Sequence, residues 1–260
     1  MSAQSTQADT FRALHVKGDP VILYNVWDAG SAKAVADAGA KAIATGSAPV
    51  AMANGSADGQ KFPLDLALAN FARIATAVDL PVTMDLEGGY STDPVDAGEN
   101  FARGITAGAV GFNFEDQVIG GKGLHDIATQ AARIKAARAA CDATGVNAFI
   151  NARTDIFLKS LKQQIAPTDD MLDESIIRAK AYAGAGADGF FAPGLMDISM
   201  IEKLCEQVTL PVNIIALPGT PATRDLANAG VARISYGPVP YNQMIARFTE
   251  QAKTALSWRE

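Results

Sequence analysis

Short apolar runs rich in β-branched and aromatic residues recur along the chain. Eight can be counted: VILYNVW, AIATGS, PVTMDLE, AVGFNFED, AFINART, GFFAPG, PVNIIALP and ARISYGP. Nearly all of them follow a segment with the apolar spacing of a helix, and several of these segments have a glycine close to their end, as in SAKAVADAGAK and ATRDLANAGV. A helix that ends in glycine and leads into a short buried strand is typical of a βα unit.

Eight βα units in about 250 residues predict an α/β fold of the (β/α)8 TIM-barrel type. A doubly wound open sheet is the alternative, but no GxGxxG motif follows the first strand. The segment STQADTFRALHVKG predicts an N-terminal helix that caps the bottom of the barrel, and YNQMIARFTEQAKTALSWRE predicts the last helix. No linker-like segment divides the chain, so we expect a single domain over residues 1–260.

Composition narrows the classes of partner. Hydrophobic residues make up 48% of the chain and charged residues 19%, which is the range of an ordinary globular protein. The net charge of −6 argues against a nucleic-acid partner. No run of about 18 apolar residues and no secretory leader is visible, so we expect a cytoplasmic protein without a membrane partner. The two cysteines have no metal-binding or disulfide spacing.

Polar side chains are unevenly distributed over the predicted strand ends. In a barrel of this kind the carboxyl ends of the strands carry the chemistry. The first five runs end in polar or charged residues, whereas the last three end in Pro-Gly or Gly-Pro with little charge. The predicted site is therefore lopsided, and three of its carboxylates, Asp85, Glu87 and Glu115, come from two adjacent strands.

Asp85 and Glu87 are two positions apart, and side chains at i and i+2 of a strand point to the same face. Like charges on one face repel unless a positive charge lies between them. A hard divalent cation satisfies this need, and the absence of a suitably placed histidine or cysteine favours Mg²⁺ or Mn²⁺ over zinc. The alternative is that the two carboxylates pair with lysine or arginine at the rim.

Two further features could bind an anion. Arg153 follows the fifth strand in NARTD and could hold a carboxylate or phosphonate through two parallel hydrogen bonds. Its alternative partners are Asp155 and the carboxylate cluster. In TGSAPV, Ser47 and the backbone amide of Ala48 stand at a strand-to-loop turn where N–H groups can bind an anion. A plain loop with a helix N-cap is the alternative there.

Three motifs carry a family resemblance. MDLEGGYS, GFNFEDQ and NARTD occur in order at three predicted strand ends. Together they resemble the phosphoenolpyruvate mutase/isocitrate lyase superfamily, over about residues 11–221. NVWDAGSA and LHDIATQAARIKAARAA are most similar to its bacterial phosphonomutase-like branch. The resemblance implies a (β/α)8 barrel that binds Mg²⁺ and a 2-oxo carboxylate, enolate or phosphonate.

The resemblance also implies roles for individual residues. Asp85 corresponds to the direct metal ligand, Glu87 and Glu115 to ligands acting largely through water, and Asp58 to a further carboxylate around the metal. The substrate-binding positions of the family correspond to Ser47, Ala48 and Arg153, with Trp27 or Asn113 lining the pocket.

The loop after the fourth strand departs from the family pattern. Isocitrate-type lyases carry a Lys-(Lys/Arg)-Cys-Gly-His motif there, but this chain reads EDQVIGGKGLHD, without a cysteine. The asparagine-containing loop of the mutases and their late histidine are not visible either. Glycines at 120, 121 and 123 make the segment flexible enough to close over a ligand. Lys122 and His125 are then candidates for catalysis; their alternatives are an ordinary loop lysine and a surface histidine.

These observations predict a Mg²⁺-dependent enzyme that cleaves a C–C or P–C bond of a small anionic 2-oxo carboxylate or phosphonate, through an enolate. Oxaloacetate decarboxylation and 2-oxo acid cleavage are the favoured examples. Phosphoenolpyruvate mutase or phosphonopyruvate hydrolase activity is one alternative, and a catalytically degenerate metabolite-binding barrel is another. A Schiff-base aldolase is disfavoured, because every lysine falls in a predicted helix or loop. The family resemblance implies a homodimer or homotetramer, and we do not predict a swap of the last helix.

Overall fold

The computed structural model describes residues 2–258. Its eight strands form one parallel sheet in the order β1-β8-β7-β6-β5-β4-β3-β2. The strands are β1 Val21–Leu23, β2 Ile43–Ala44, β3 Val82–Asp85, β4 Gly111–Glu115, β5 Phe149–Arg153, β6 Gly189–Phe191, β7 Val212–Ile215 and β8 Arg233–Ser235. A parallel bridge between Val26 and Thr45 joins the two ends of the sheet. The prediction of a (β/α)8 barrel is confirmed.

Eleven helices lie within the described range. They are α1 Ala3–Ala13, α2 Ala29–Asp37, α3 Ser47–Ala53, α4 Leu64–Thr76, α5 Pro94–Thr106, α6 Ile127–Ala143, α7 Ile156–Lys162, α8 Asp169–Gly184, α9 Ile198–Gln207, α10 Thr223–Asn228 and α11 Val239–Leu256. Each predicted helix is found, although α11 ends at Leu256 and residues 259 and 260 of its predicted span lie outside the described residues. The short helices α3 and α7 were not predicted; both begin directly after the carboxyl end of a strand.

Helix α1 covers the amino-terminal ends of β4 and β5. Gln4 donates from its side-chain amide to the carbonyl oxygens of Ile105 and Ala109, at 2.8 and 2.9 Å. Phe11 is fully buried and meets Phe149 edge to face, with ring centroids 5.7 Å apart. Because this end of the barrel is closed by apolar packing, the carboxyl end is the one open to a ligand.

Helix α11 packs differently from the other helices that surround the barrel. Among its described side chains only Pro240 is buried, and Phe248 is 65% exposed. Ile245 and Met244 are also about two-fifths exposed. The helix therefore presents apolar side chains away from the barrel core. Between residues 2 and 258, none of the helices combines the length and the apolar character that crossing a membrane requires.

Candidate functional site

A cleft at the carboxyl end of the barrel has an empty volume of about 760 Å³ and is open to solvent. The polar residues that line one end come from the first five strands and their loops: Asn25, Ser47, Asp58, Asp85, Asn113 and Arg153. Gly46, Ala48 and Pro49, in the loop after β2 and at the start of α3, line the same end. The other end is lined by apolar residues that end β6 and β7 or follow β5 to β8: Leu158, Phe191, Pro193, Ile215, Leu217 and Pro238. Lys162 and Gly237 also line the cleft. The uneven distribution of polar residues over the strand ends therefore corresponds to a cleft with one polar end and one apolar end.

Asp85 is the last residue of β3 and is half-buried at the polar end of the cleft. Its Oδ2 accepts a hydrogen bond from the backbone N–H of Ser47 at 3.0 Å. Its backbone N–H donates to Thr45 Oγ1 at 3.1 Å, which fixes the end of the strand. The other carboxylate oxygen, Oδ1, is buried and has no hydrogen-bond partner among residues 2–258. A buried carboxylate oxygen without a partner is costly, and a bound cation would remove this cost.

Glu87 lies beyond the end of β3, not within an extended strand. Its backbone is left-handed, with φ at 51°. The prediction that the alternation of side chains along a strand places Glu87 beside Asp85 is therefore wrong, because the strand ends at Asp85. The two carboxylates nevertheless interact. Burial, reinforced by the charges of Asp58 and Asp85, raises the pKa of Glu87 to about 7. Its Oε2 accepts a hydrogen bond from the backbone N–H of Gln60 at 2.7 Å.

Arg153 is shared between two buried carboxylates. Its Nε and Nη2 donate to the two oxygens of Asp155 at 2.6 and 2.9 Å. Its Nη1 lies 2.8 Å from Glu115 Oε2. Burial raises the pKa of Glu115 well above its usual range, and the charge of Arg153 opposes that rise. The alternative partners considered from the sequence are therefore present, although the guanidinium also lines the cleft.

Asp116 supports this arrangement through hydrogen bonds to residues of two other segments. It is fully buried, and its Oδ1 accepts from the backbone N–H of Asp155 at 3.0 Å. Its Oδ2 accepts from Arg178 Nη1 at 3.1 Å and from the Tyr182 hydroxyl at 2.9 Å. These bonds satisfy the carboxylate within the protein. Asp116 thus orients Asp155, which in turn holds Arg153.

The described residues do not form a direct cage of protein ligands for a metal. Within residues 2–258, no three histidine, cysteine, aspartate or glutamate side chains are grouped so that they could hold one ion. Asp85 offers one buried, unpaired carboxylate oxygen. Mg²⁺ is commonly bound through one or two carboxylates while it keeps several waters. The unpaired oxygen of Asp85 therefore fits an ion held by one direct protein ligand, and Asp58 is a second carboxylate that lines the same cleft.

Asn113 and Arg233 form a pair that the sequence did not reveal as a unit. Asn113 Oδ1 accepts from Asn151 Nδ2 at 2.9 Å and from Arg233 Nη2 at 3.1 Å. With its carbonyl occupied by two donors, the amide of Asn113 is oriented so that its NH₂ group can donate to a ligand in the cleft. Arg233 also contacts Ser235 Oγ through Nε at 3.3 Å, and it is 1% exposed. A single arginine within the apolar run ARISYGP was the signal that could have drawn attention to it.

Asn25 lines the cleft, although we did not single it out from the sequence. Its Oδ1 accepts from the backbone N–H groups of Tyr236 and Gly237 at 2.8 and 2.7 Å. Its Nδ2 donates to the carbonyl oxygen of Thr45 at 2.9 Å. Asn25 thereby ties the ends of β1, β2 and β8 together around the cleft.

Five predicted site residues do not line the cleft. Glu87 borders a neighbouring pocket together with Asp85, and Glu115 is buried against Arg153. The other three are Lys122, His125 and Trp27. Lys122 is exposed and borders a separate surface depression with Lys159 and Lys162. His125 is half-buried, and its backbone N–H donates to the carbonyl oxygen of Asp116 at 2.8 Å. Burial lowers the pKa of its imidazole. Trp27 packs against Tyr241 of α11, with ring centroids 5.2 Å apart, in a groove between α2 and α11.

The chain is similar to known proteins over most of its length. The family model for phosphoenolpyruvate phosphomutase matches residues 11–256. The 2-methylisocitrate lyase of Escherichia coli (strain K12) is 30% identical, over 87% of this chain and 76% of that protein. Oxaloacetate decarboxylase 1 of Pseudomonas fluorescens (strain Pf0-1) is 29% identical, over 80% of this chain and 70% of that protein. A crystal structure of a proposed phosphonomutase from Burkholderia cenocepacia J2315 superposes with a TM-score of 0.93 at 47% identity, covering 97% of this chain and 99% of that one.

Proposed function

Because this chain belongs to the phosphoenolpyruvate phosphomutase family of the phosphoenolpyruvate mutase/isocitrate lyase superfamily, we propose that it is a divalent-metal-dependent enzyme acting on a 2-oxo carboxylate. The metal is Mg²⁺, with Mn²⁺ as the substitute. The bond that breaks is a C–C bond at C3, as in a 2-oxo acid lyase or an oxaloacetate decarboxylase. The observation that carries this proposal is the unpaired, buried Oδ1 of Asp85 at the polar end of the cleft.

Asp85 would hold the metal directly, and Glu87, Glu115 and Asp58 would hold the waters around it. A bound Mg²⁺ would act as a Lewis acid that stabilises the negative charge developing on the 2-oxo oxygen as the bond breaks. The Ser47 amide already donates to Asp85, so the Ser47 hydroxyl and the Ala48 amide are the groups left to bind the substrate carboxylate.

Two residues at the floor and wall of the cleft would orient the substrate. The NH₂ group of Asn113 would donate to a substrate oxygen, since its carbonyl is held by Asn151 and Arg233. Arg153 would orient the substrate through hydrogen bonds from its N–H groups. It would add little net positive charge, because Glu115 and Asp155 balance its charge. Lys122 and His125 are the proposed proton donors, and closure of the glycine-rich segment 120–123 over the cleft would bring them to the substrate.

Cleavage of a P–C bond, as in a phosphonomutase or phosphonopyruvate hydrolase, is the second candidate. The description of the 47% identical neighbour as a proposed phosphonomutase favours it. The names of the lyase and decarboxylase relatives favour C–C cleavage. A barrel that binds a metabolite without turnover is the third candidate, motivated by the loop after β4, which lacks the lyase cysteine.

Calorimetric titration of oxalate, which mimics the pyruvate enolate, tests the proposal. The titrations would use the wild-type protein with Mg²⁺, the same protein with EDTA, and Asp85→Ala with Mg²⁺. We expect binding only with Mg²⁺ and only with Asp85 intact. The matched control is Asp79→Ala, which removes an exposed carboxylate that precedes β3 at the opposite end of the barrel. Binding that is insensitive to EDTA and to Asp85→Ala would disprove the metal site. Turnover of 2-oxo acids by the wild-type protein then separates an enzyme from a binding protein.

A homodimer or homotetramer is the proposed assembly. The exposed apolar side chains of α11, Phe248 above all, support it, since helices that leave large apolar residues in water are commonly covered by a partner.

A further inference from the structure

We infer that the substrate carries an apolar chain beyond its 2-oxo carboxylate, and that the loops at the carboxyl ends of β5 to β8 hold this chain. The inference rests on the proposed function and narrows its substrate class, from small 2-oxo acids in general to those with an alkyl or similar apolar substituent of several carbons.

The first observation is the division of the cleft. The residues that could bind a metal or an anion lie on one side, with Asp85 and Asn113 at the strand ends of β3 and β4. The opposite side is lined by Leu158, Phe191, Pro193, Ile215, Leu217 and Pro238. Both sides belong to one continuous cleft, so a ligand bound at the polar side has the apolar side within reach.

The boundary between the two sides is set by the sheet. Arg153 and Phe191 are register partners on β5 and β6, and the guanidinium carbon of Arg153 lies 5.9 Å from the centre of the Phe191 ring. A substrate oxygen that accepts hydrogen bonds from Asn113 and Arg153, as in the proposed function, would therefore place the rest of the molecule beside Phe191. From there the cleft continues past Ile215, the last residue of β7, which is 9% exposed.

The chemistry of this side favours an uncharged chain. Leu158 and Leu217 are half-buried, so part of each side chain faces the cleft and not the core. A buried charged group without a partner is costly, whereas each buried CH₂ gains free energy on leaving water. Lys162 is the one cationic side chain that lines the cleft besides Arg153. It could pair with a second carboxylate at the far end of a substrate, which is the alternative that an experiment must separate.

A series of 2-oxo acids of increasing length tests the inference. Pyruvate, 2-oxobutanoate, 2-oxopentanoate and 2-oxohexanoate would each be titrated into the protein with Mg²⁺ by calorimetry. We expect the affinity to rise about fourfold for each added methylene. We also expect 2-oxohexanoate to bind more tightly than 2-oxoadipate, which has the same length but ends in a carboxylate. An affinity that is flat or falls with length overturns the inference, and so does tighter binding of 2-oxoadipate, which would assign the far end to Lys162.

Two matched substitutions on α7 locate the effect. Leu158→Asn should reduce the ratio of 2-oxohexanoate to pyruvate affinity about tenfold, because it places an amide in the apolar side. Leu161→Asn changes a residue of the same helix that is 39% exposed and does not line the cleft, so the ratio should stay as in the wild type. Leu217→Asn, in the loop after β7, repeats the test if Leu158→Asn does not fold. Equal ratios in the wild type and in these cleft variants would refute the assignment.

Oxalate, titrated in the same buffer, separates this inference from the proposed function. If oxalate fails to bind while affinity still rises with chain length, the metal–enolate proposal is wrong and the apolar subsite stands. If oxalate binds and chain length has no effect, the apolar subsite is wrong and the metal–enolate proposal stands. If neither oxalate nor any of the 2-oxo acids binds, both are wrong.

Discussion

Glu115 and Arg153 are direct register partners on the adjacent strands β4 and β5, and Arg153 Nη1 lies 2.8 Å from Glu115 Oε2. The same guanidinium holds Asp155, which is fully buried. Two carboxylates around one arginine, at the ends of neighbouring strands, leave no excess positive charge for a substrate. The positive charge that attracts an anion into this cleft must therefore come from elsewhere: Lys162 also lines the cleft, and the metal ion proposed at Asp85 would add to it.

Removing the arginine should destabilise the protein strongly. Arg153→Met leaves Glu115 and Asp155 buried without their partner, and we expect a loss of about 3–5 kcal/mol in the free energy of unfolding. The control is Arg103→Met, which breaks the ion pair with Asp65, a pair in which the two side chains are 47% and 82% exposed. It should cost about 0–1 kcal/mol. Urea denaturation of both variants without ligand makes the comparison, and equal losses would contradict the importance of the buried pair.

Replacing Arg233 should not destabilise the protein as replacing Arg153 does. Burial lowers the pKa of Arg233 to about 9, so its charged form is held at a cost in the native protein. Because methionine needs no hydrogen-bond partner and carries no charge at this buried position, we expect Arg233→Met to leave the free energy of unfolding unchanged or to raise it. Because Asn113 loses the donor that helps to orient it, the affinity for oxalate with Mg²⁺ should fall about tenfold, or by about 1.4 kcal/mol.

Denaturation and calorimetry on the same Arg233→Met preparation check both halves of that prediction. Arg233→Lys keeps the charge and should recover part of the affinity. A destabilisation as large as that of Arg153→Met would show that Arg233 is a structural ion-pair partner and not a positioning residue.

The stability of the metal-free protein should depend on Glu87 between pH 4.5 and 7. The pKa of Glu87 is raised from 4.5 to about 7, so in this window the native state binds more protons than the unfolded state. Stability therefore falls as pH rises, by up to about 1.4 kcal/mol per pH unit for this one group. Glu87→Gln should remove that part of the slope. Thermal unfolding in EDTA over this pH range measures it, with Glu99→Gln, at an exposed site on α5, as the control.

His15 should change the pH dependence of stability in the direction opposite to Glu87. Burial, aided by the charge of Arg233, lowers the pKa of His15 from 6.5 to about 3, and its ring stacks on Phe149 with centroids 4.0 Å apart. Below pH 6.5 the unfolded state binds the extra proton, so stability is lost as pH falls towards 3. His15→Gln should reduce the slope of unfolding free energy against pH between 6.5 and 4. An unchanged slope would show that His15 is protonated in the native state.

Association should depend on α11. Phe248→Ser removes the large apolar side chain that is 65% exposed, and we expect it to shift the protein to a smaller assembly. Ile177→Ser, at a 55% exposed position on α8, should leave the assembly unchanged. Light scattering after size-exclusion chromatography measures the mass. A wild-type protein that is already monomeric would contradict the proposed oligomer.

Much of the fold could be predicted from the chain. All eight predicted strands are present, because each is an apolar run bounded by glycine, proline or polar residues. The capping position of α1 and the family resemblance are likewise confirmed. The helices α3 and α7 were missed because each has only seven residues, too few to show a helical period of apolar positions. The left-handed backbone of Glu87 was also missed, since nothing in the residue type indicates it.

The sequence by itself determined which kinds of side chain end each strand, and hence that one side of the barrel mouth is acidic and the other apolar. Only the tertiary structure decided which of these side chains meet. Arg233 and Asn113 are 120 residues apart, yet they share a hydrogen bond inside the barrel. Lys162 lines the cleft where Lys122 was expected. Strand identity follows from local hydrophobic pattern, but partner choice depends on the closure of the barrel, which brings together residues that are distant along the chain.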